Sequence, residues 1–279
     1  MKTGLFRFVE EHARLFVLTG AGISTGSGIP DYRDAQGQWK RRQPVTMQDF
    51  LRSAAVRRRY WARSMIGWPV LANARPNAAH LALARLEAAG RVQHLVTQNV
   101  DGLHQRAGST RVVELHGTVA WVVCLNCGAE VSRLVIQEML ETANPEYAHL
   151  SAATAPDGDA DLDAHDLDGF EIPACFRCGG ILKPDVVFFG DGVPKERVDA
   201  AMDALQQTDA MLVIGSSLMT YSGYRFCEQA HRAGKPIAAV NLGRTRADRL
   251  LSLKVERPCA DALGEVVQGL DSTRHAAVA

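Results

Sequence analysis

FVLTGAGISTGSGIPDYR, residues 16–33, decides the fold of this chain. An apolar β-type run, Leu15 to Leu18, breaks into Gly20-Ala21-Gly22, which suits a tight strand-to-helix turn where a backbone must approach something closely. The implied guest is a pyrophosphate, since side-chain-free positions turn main-chain N–H groups toward an anion. The positive end of a following short helix would add about 0.3–1 kcal/mol of attraction. Gly26 and Gly28 do not complete a G-x-G-x-x-G spacing, so the glycines alone fit an ordinary turn equally well. Ile29-Pro30-Asp31-Tyr32-Arg33 shifts the reading toward a site, because acid, aromatic and cation together are too polar and bulky for a linker.

Working outward, 279 residues suffice for one large domain, or for a large one with a small companion, without a covalent staple. Lys+Arg and Asp+Glu are both 31, so no whole-chain field pulls toward nucleic acid or an anionic membrane. Lys40-Arg41-Arg42 and Arg57-Arg58-Arg59 read as solvated faces. The N-terminus has no apolar core of signal-peptide length, and no run approaches the roughly 20 apolar residues of a membrane span. A soluble, cytoplasmic protein is expected.

Residues 4 to 13 read as a short helix, and 34 to 76 as a helical region that Trp68-Pro69 breaks. A further helix begins at residues 76–80 and ends near Gly90, with Leu81, Leu83, Ala84 and Leu86 on its core face. Strands are expected at 92–96, 111–117, 182–191, 210–214 and 236–240, and helices at 194–207 and 223–234. Strand and helix alternate at both ends of the chain, which argues a doubly wound parallel sheet of Rossmann-like α/β class. Polar clusters stand at the carboxyl ends of these strands, where such sheets bind ligands: Thr97-Gln98-Asn99-Val100-Asp101, Gly215-Ser216-Ser217 and Asn241-Leu242-Gly243. His116 ends the strand at 111–117, and by itself a lone histidine is more often structural than catalytic.

Cys124-x-x-Cys127-Gly128 and Cys175-x-x-Cys178-Gly179 form two knuckles separated by residues 128–174. Four thiolates so arranged match a closed tetrahedral zinc site, which leaves no ligand position open for catalysis. A redox dithiol would need only one pair. Asp157 to Asp168 superficially resembles a calcium loop, but Leu162 stands where the turn glycine belongs, so a solvated, mobile loop is expected.

The stretches TGAGISTGSGIPDYR, TQNVDGLH, ELHG, the two C-x-x-C knuckles, KPDVVFFGD, GSSL and NLG occur in this order between about Phe6 and Ala262. Together they resemble the sirtuins, NAD-dependent protein-lysine deacylases. APDGD, RYWAR with GWP, and NLGRTRAD are similar to the class II group, which contains a mitochondrial lipoamidase and deacylase. The resemblance implies a large NAD-binding domain from 1–33, 77–118 and 181–271. A small domain would combine a helical module, 34–76, with a zinc module, 119–180, and 272–279 would be a C-terminal tail. Acylated-lysine proteins would be the substrates, handled by a monomer.

Residue by residue, the resemblance implies that Gly20, Ala21 and Gly22 cradle the pyrophosphate, and that Ser216, Ser217, Asn241 and Cys259 surround the adenosine half. Val100 and Asp101 would hold the nicotinamide carboxamide, Gln98 and Asn99 the nicotinamide ribose. Ile23, Thr25, Asp31, Tyr32, Arg33, Gly215, Leu242 and Gly243 complete the NAD-binding set. His116 would be the general base, with Asn99 and Asp101 beside it in the catalytic group. Substrate peptide would pair as a strand along Val187-Phe188-Phe189-Gly190. Tyr32 stands where many sirtuins have Phe. Tyr60-x-x-Arg63 resembles a pair that holds the carboxylate of acidic acyl chains, though simple packing of the helical module accounts for it equally well. Mono-ADP-ribosyl transfer and non-catalytic NAD sensing are the rival functions.

Overall fold

Five consecutive buried residues, Leu15–Thr19, form β1 at the centre of a six-stranded parallel sheet. The computed structural model describes residues 3–41, 43–150, 154–156, 159–160, 162 and 166–278. In chain order the strands are β1, β2 (Val92–Thr97), β3 (Val112–Glu114), β4 (Gly117–Cys124), β5 (Glu130–Ser132), β6 (Thr154–Ala155), β7 (Asp159–Ala160), β8 (Leu182–Val186), β9 (Ala210–Ile214), β10 (Ile237–Val240) and β11 (Leu253–Val255). The helices are α1 (Gly4–Glu11), α2 (Met47–Arg52), α3 (Ala54–Asn73), α4 (Ala78–Ala88), α5 (Leu103–Arg106), α6 (Arg133–Ala143), α7 (Lys195–Gln206), α8 (Tyr221–Arg232) and α9 (Cys259–Val278).

The parallel sheet runs β11-β10-β9-β1-β2-β3. Leu15 and Val17 face one core, filled by α1, α4 and α9, while Phe16 and Leu18 face another, filled by α7 and α8. Burial on both faces explains why β1, β9 and β10 are apolar without alternation. Strand order reverses between β1 and β9, so the carboxyl ends of these neighbours open a crevice at the topological switch point.

A second sheet, β5-β4-β8, is antiparallel and begins immediately after His116. Its core gathers Val122, Leu182, Ile136 and Leu140 with Trp61 and Met65 from α3. β8 therefore joins this smaller sheet rather than the parallel one.

Several local expectations need correction. No α-helix follows β1: residues 21–23 and 25–27 form two single 3₁₀ turns, too short for the helix-end attraction considered above. Residues 34–41 and 43–46 are not helical, and α3 runs through Pro69 instead of stopping there. Proline offers no N–H to the carbonyl of Met65, but the Gln137 side chain donates to that oxygen at 2.9 Å, so the gap in the helix ladder is filled from α6. Leu81 is 49% exposed, and the core face of α4 uses Ala79, His80, Ala82, Leu83 and Leu86. The acidic stretch is in part built into the structure. Asp159 lies in β7, paired with β6, and Leu162 and Leu167 are buried in the small core. Its positions 157, 158, 161 and 163–165 lie outside the described residues. α9 continues through residues 272–278, the stretch read from sequence as a tail.

Candidate functional site

The two glycine turns meet at the switch point. Gly20 N–H donates to Ile214 O at 3.1 Å and Gly22 N–H to Gly215 O at 2.8 Å. A Cβ on Gly22 would stand 2.8 Å from Gly215 O, and one on Gly20 2.8 Å from Ser216 Cβ. The glycines of the opening motif are thus required by the other turn, in addition to any ligand. Asn77 fastens this corner, capping α4 through Ala79 N–H at 2.9 Å and donating from Nδ2 to Ile23 O at 2.8 Å.

A cavity of about 430 Å³ opens above the turns. Its wall includes Gly20, Ala21, Gly22, Asp31, Tyr32, Arg33, Gln98, Asn99, Val100, His116, Val187, Phe188, Phe189, Gly190, Gly215, Ser216, Ser217, Asn241 and Leu242. Five of the NAD-binding candidates are not on that wall. Ile23 is 2% exposed in the core beneath, and Thr25 turns its hydroxyl back to Gly22 O at 3.1 Å. Gly243 packs against Ala35. Cys259 starts α9 with Sγ near Val240 O. Asp101 lies behind the wall, accepting from Ser24 Oγ at 2.7 Å and capping Leu103 N–H at 2.9 Å.

Asp101 belongs to a buried polar network that orients Asn99. Asn99 Nδ2 donates to Ser24 Oγ at 3.0 Å and to Gly20 O at 3.2 Å, and its backbone N–H donates to Thr97 Oγ1 at 3.1 Å. Thr19 Oγ1 donates to Thr97 Oγ1 at 2.8 Å, so it accepts from His104 Nε2 at 2.9 Å. Burial drives the His104 pKa down to about 3 and the His80 pKa to about 4, so both rings are neutral and serve as fixed dipoles.

His116 is half-buried between β3 and β4. Its Nδ1–H donates to Gln98 O at 2.8 Å, which fixes the tautomer. Nε2 is therefore the atom with the lone pair, and it accepts from Ser222 Oγ at 2.9 Å. Burial pulls the His116 pKa down to about 4; the Gln98 carbonyl opposes the shift, while Arg197 and Arg225 reinforce it. A neutral imidazole facing a cavity can accept a proton at neutral pH.

A smaller cavity of about 100 Å³ adjoins the first and contains Tyr60 and Arg63. Asp31, Tyr32, Trp39 and Val186 to Phe189 line both. Tyr32, Trp39 and Phe189 meet edge to face with centroids 5.4–6.0 Å apart, and the Arg33 guanidinium lies 3.7 Å from the Trp39 centroid. An aromatic partition thus separates the two spaces.

In the small sheet, Cys124, Cys127, Cys175 and Cys178 place all four Sγ atoms within 4.8 Å of one another. Cys124 to Cys178 is 3.5 Å and Cys127 to Cys175 is 3.8 Å. Tetrahedral zinc with bonds of about 2.3 Å requires sulfur separations of about 3.8 Å, so the cluster fits that ion. The knuckles are alike: Gly128 N–H donates to Cys124 O at 2.9 Å and Gly179 N–H to Cys175 O at 2.8 Å. Both glycines hold φ of +70°, which folds the loop back over its first cysteine.

A family model described as the Sir2 family matches residues 20–222. The chain belongs to the Sir2 family. An "NAD-dependent protein deacetylase" of Xanthomonas campestris pv. campestris (strain 8004) is 61% identical over 267 residues, covering 96% of this chain and 91% of that protein. The "NAD-dependent protein lipoamidase sirtuin-4, mitochondrial" of Bos taurus is 49% identical over 262 residues, covering 93% of this chain and 83% of the bovine protein. A solved structure of Sir2 with a p53 peptide and NAD+ superposes with a TM-score of 0.79 at 29% identity, covering 96% of this chain and 98% of that one.

Among the residues of this Sir2 cavity that sequence reasoning missed are Trp39, Ser222 and Arg225. Trp39 lay inside a segment read as helix. Ser222 and Arg225 are spaced i, i+3 near the start of α8, which puts them on one helix face but ties neither to His116.

Proposed function

We propose that this Sir2-family chain is an NAD-dependent protein-lysine deacylase that transfers the acyl group to ADP-ribose and releases nicotinamide. The observation that carries the proposal is the basic Nε2 of His116 on the wall of a cavity closed at its other end by two interlocked glycine turns. When bound there, NAD supplies an electrophilic ribose carbon, a leaving group and hydroxyls that receive the acyl group.

The protein's own residues divide the work. Gly20 and Gly22 spend their N–H groups on the facing turn, which leaves Ala21 and Ser217 as the donors we assign to the pyrophosphate side. Asn99, held by Ser24 and Gly20, orients the ribose, and Asp101 acts through Ser24 as a positioning residue. His116 Nε2 takes the proton of a ribose hydroxyl, and Ser222 keeps the ring aligned until then. Tyr32, Trp39 and Phe189 exclude water from the reacting end. Peptide lies along Val187 to Gly190, and its acyl chain points past the aromatic partition toward Tyr60 and Arg63.

The same reading divides the chain into the large and small domains expected above, supported by their separate cores. Zinc, held by the four thiolates, serves structure. We place the protein in the cytoplasm, where such thiols stay reduced. The acting unit is one chain, since it supplies every residue named at both cavities, and balanced charge argues against a nucleic-acid partner. Among the described residues, no helix is long and apolar enough to cross a membrane.

The deciding assay is nicotinamide release from NAD with and without an acetyl-lysine peptide. Release that requires the peptide and yields O-acyl-ADP-ribose is expected. Peptide-independent release with ADP-ribose appearing on protein would replace the proposal by ADP-ribosyl transfer, and NAD binding without turnover would replace it by sensing. Gly22→Ala is expected to weaken NAD binding about tenfold or more and to destabilise the fold by about 1–3 kcal/mol, because its Cβ meets rigid backbone. Calorimetric titration and thermal melting read the two effects, and wild-type values in both would refute the interlocked-turn account.

A further inference from the structure

The smaller cavity contains a charge pair that the proposed chemistry leaves unused. Arg63 stands in the middle of α3, and Asp159 comes from β7, far along the chain. Arg63 Nε donates to Asp159 Oδ1 at 2.9 Å and Nη2 to Oδ2 at 2.5 Å, a two-bond fork, and Nε also donates to Ala160 O at 3.0 Å. Both side chains are largely withdrawn from water, at 24% and 30% exposure. Asp159 is seated by more than this pair. Its Oδ1 accepts from the Ala160 N–H at 2.9 Å, Ala160 is 1% exposed, and β7 pairs antiparallel with β6. Other charged groups face the same cavity: Lys40 is paired with Asp31, and Arg41 is exposed at the rim.

We propose that Asp159 determines the acyl preference of this chamber, holding the Arg63 fork with the chain's own carboxylate so that uncharged acyl chains are accepted and carboxyl-tipped ones are turned away. The inference rests on the deacylase reading and on the acyl end reaching this cavity. A guanidinium pairs side-on with one carboxylate through Nε and Nη2, and that face is already taken. An incoming succinyl or glutaryl tip would lose its water, meet a neutralised cation and lie beside a second carboxylate. An uncharged chain meets apolar surface from Val45, Val119, Phe188 and the Tyr60 ring.

The test compares wild type, Asp159→Asn and the Asp159→Asn, Arg63→Ala double variant on one peptide bearing acetyl-, hexanoyl- or glutaryl-lysine. Asp159→Asn, isosteric and uncharged, is expected to raise the glutaryl-to-acetyl ratio of kcat/KM about tenfold, mostly through KM, and the double variant to lose that gain. Asp159→Glu keeps the charge and is expected to keep the wild-type ratio. Titration calorimetry with the same peptides reads the preference as Kd, without turnover. An unchanged ratio in Asp159→Asn by both readouts, or a wild type that prefers glutaryl-lysine, overturns the inference. A shifted Kd in proteins that turn over no acyl peptide would support the role of Asp159 and refute the deacylase reading instead.

Discussion

Replacing His116 by alanine is expected to lower turnover by about 10²–10⁴-fold while leaving NAD binding and the fold in place. The expectation follows from the two hydrogen bonds of the ring. Gln98 O accepts a hydrogen bond from Nδ1–H, so the basic lone pair sits on Nε2, and the Ser222 hydroxyl that donates to it is the group a substrate hydroxyl would displace. Ser222→Ala should cost much less than His116→Ala, because Ser222 aligns the base and moves no proton. Steady-state nicotinamide release measures both, and full turnover by His116→Ala would remove the residue from the mechanism.

The same residue predicts a pH dependence whose sign is opposite to that of a salt-bridged histidine. Its folded pKa of about 4 lies below the ordinary value of 6.5, as do those of His80, about 4, and His104, about 3. Between the folded and unfolded values the unfolded chain binds more protons. Stability is therefore fully present above about pH 6.5 and is lost as pH falls toward 4. Melting temperature against pH should decline more gently across that window in His116→Ala than in wild type. Parallel curves would show that burial does not depress this histidine.

The second large effect is expected from Cys175→Ser. Cys175 is 3% exposed and packs in the same core as Val122, Leu182 and Phe170, so its loss removes both a thiolate and the closure of that core. Three remaining ligands leave the tetrahedral site open, and structural zinc contributes its binding free energy to folding. Zinc content should fall well below one ion per chain and the melting temperature should drop by several degrees. Activity should fall with them. β4 leads from the knuckle back to Gly117, and Val187 N–H donates to His116 O at 2.8 Å, so a loosened small sheet releases the catalytic corner. Metal analysis beside far-ultraviolet circular dichroism separates this from global unfolding, since the parallel sheet has its own two cores. A variant that keeps one zinc and the wild-type melting temperature would contradict the four-thiolate centre.

Much of this molecule was legible before any coordinates, for reasons that are local. A fully apolar run stopped by Gly20-Ala21-Gly22 reads as a buried strand and turn because neighbouring residues alone dictate backbone freedom. Two C-x-x-C-G knuckles read as a metal site because chelate spacing is a property of a few adjacent residues. Less legible were the features in which one segment repairs or occupies another. Pro69 reads as a helix stop until Gln137 supplies the missing donor. Asp159 reads as one acid in a solvated run until Arg63 takes both of its oxygens. Asp101 and Cys259 carried the expected residue types in the expected order, but packing set them off the cavity wall.

By itself, then, the sequence determined the α/β class, the glycine turns at strand ends and the thiolate set. Those depend on interactions between residues close in the chain, whose geometry is limited by sterics and chelation. Tertiary structure alone decided which turn faces Gly22, which hydroxyl meets His116 Nε2, and whether Arg63 has a spare charge to offer. Those pairings join residues about a hundred or more positions apart. Such pairs are selected by burial and strand order over the whole chain, and no local pattern records that selection.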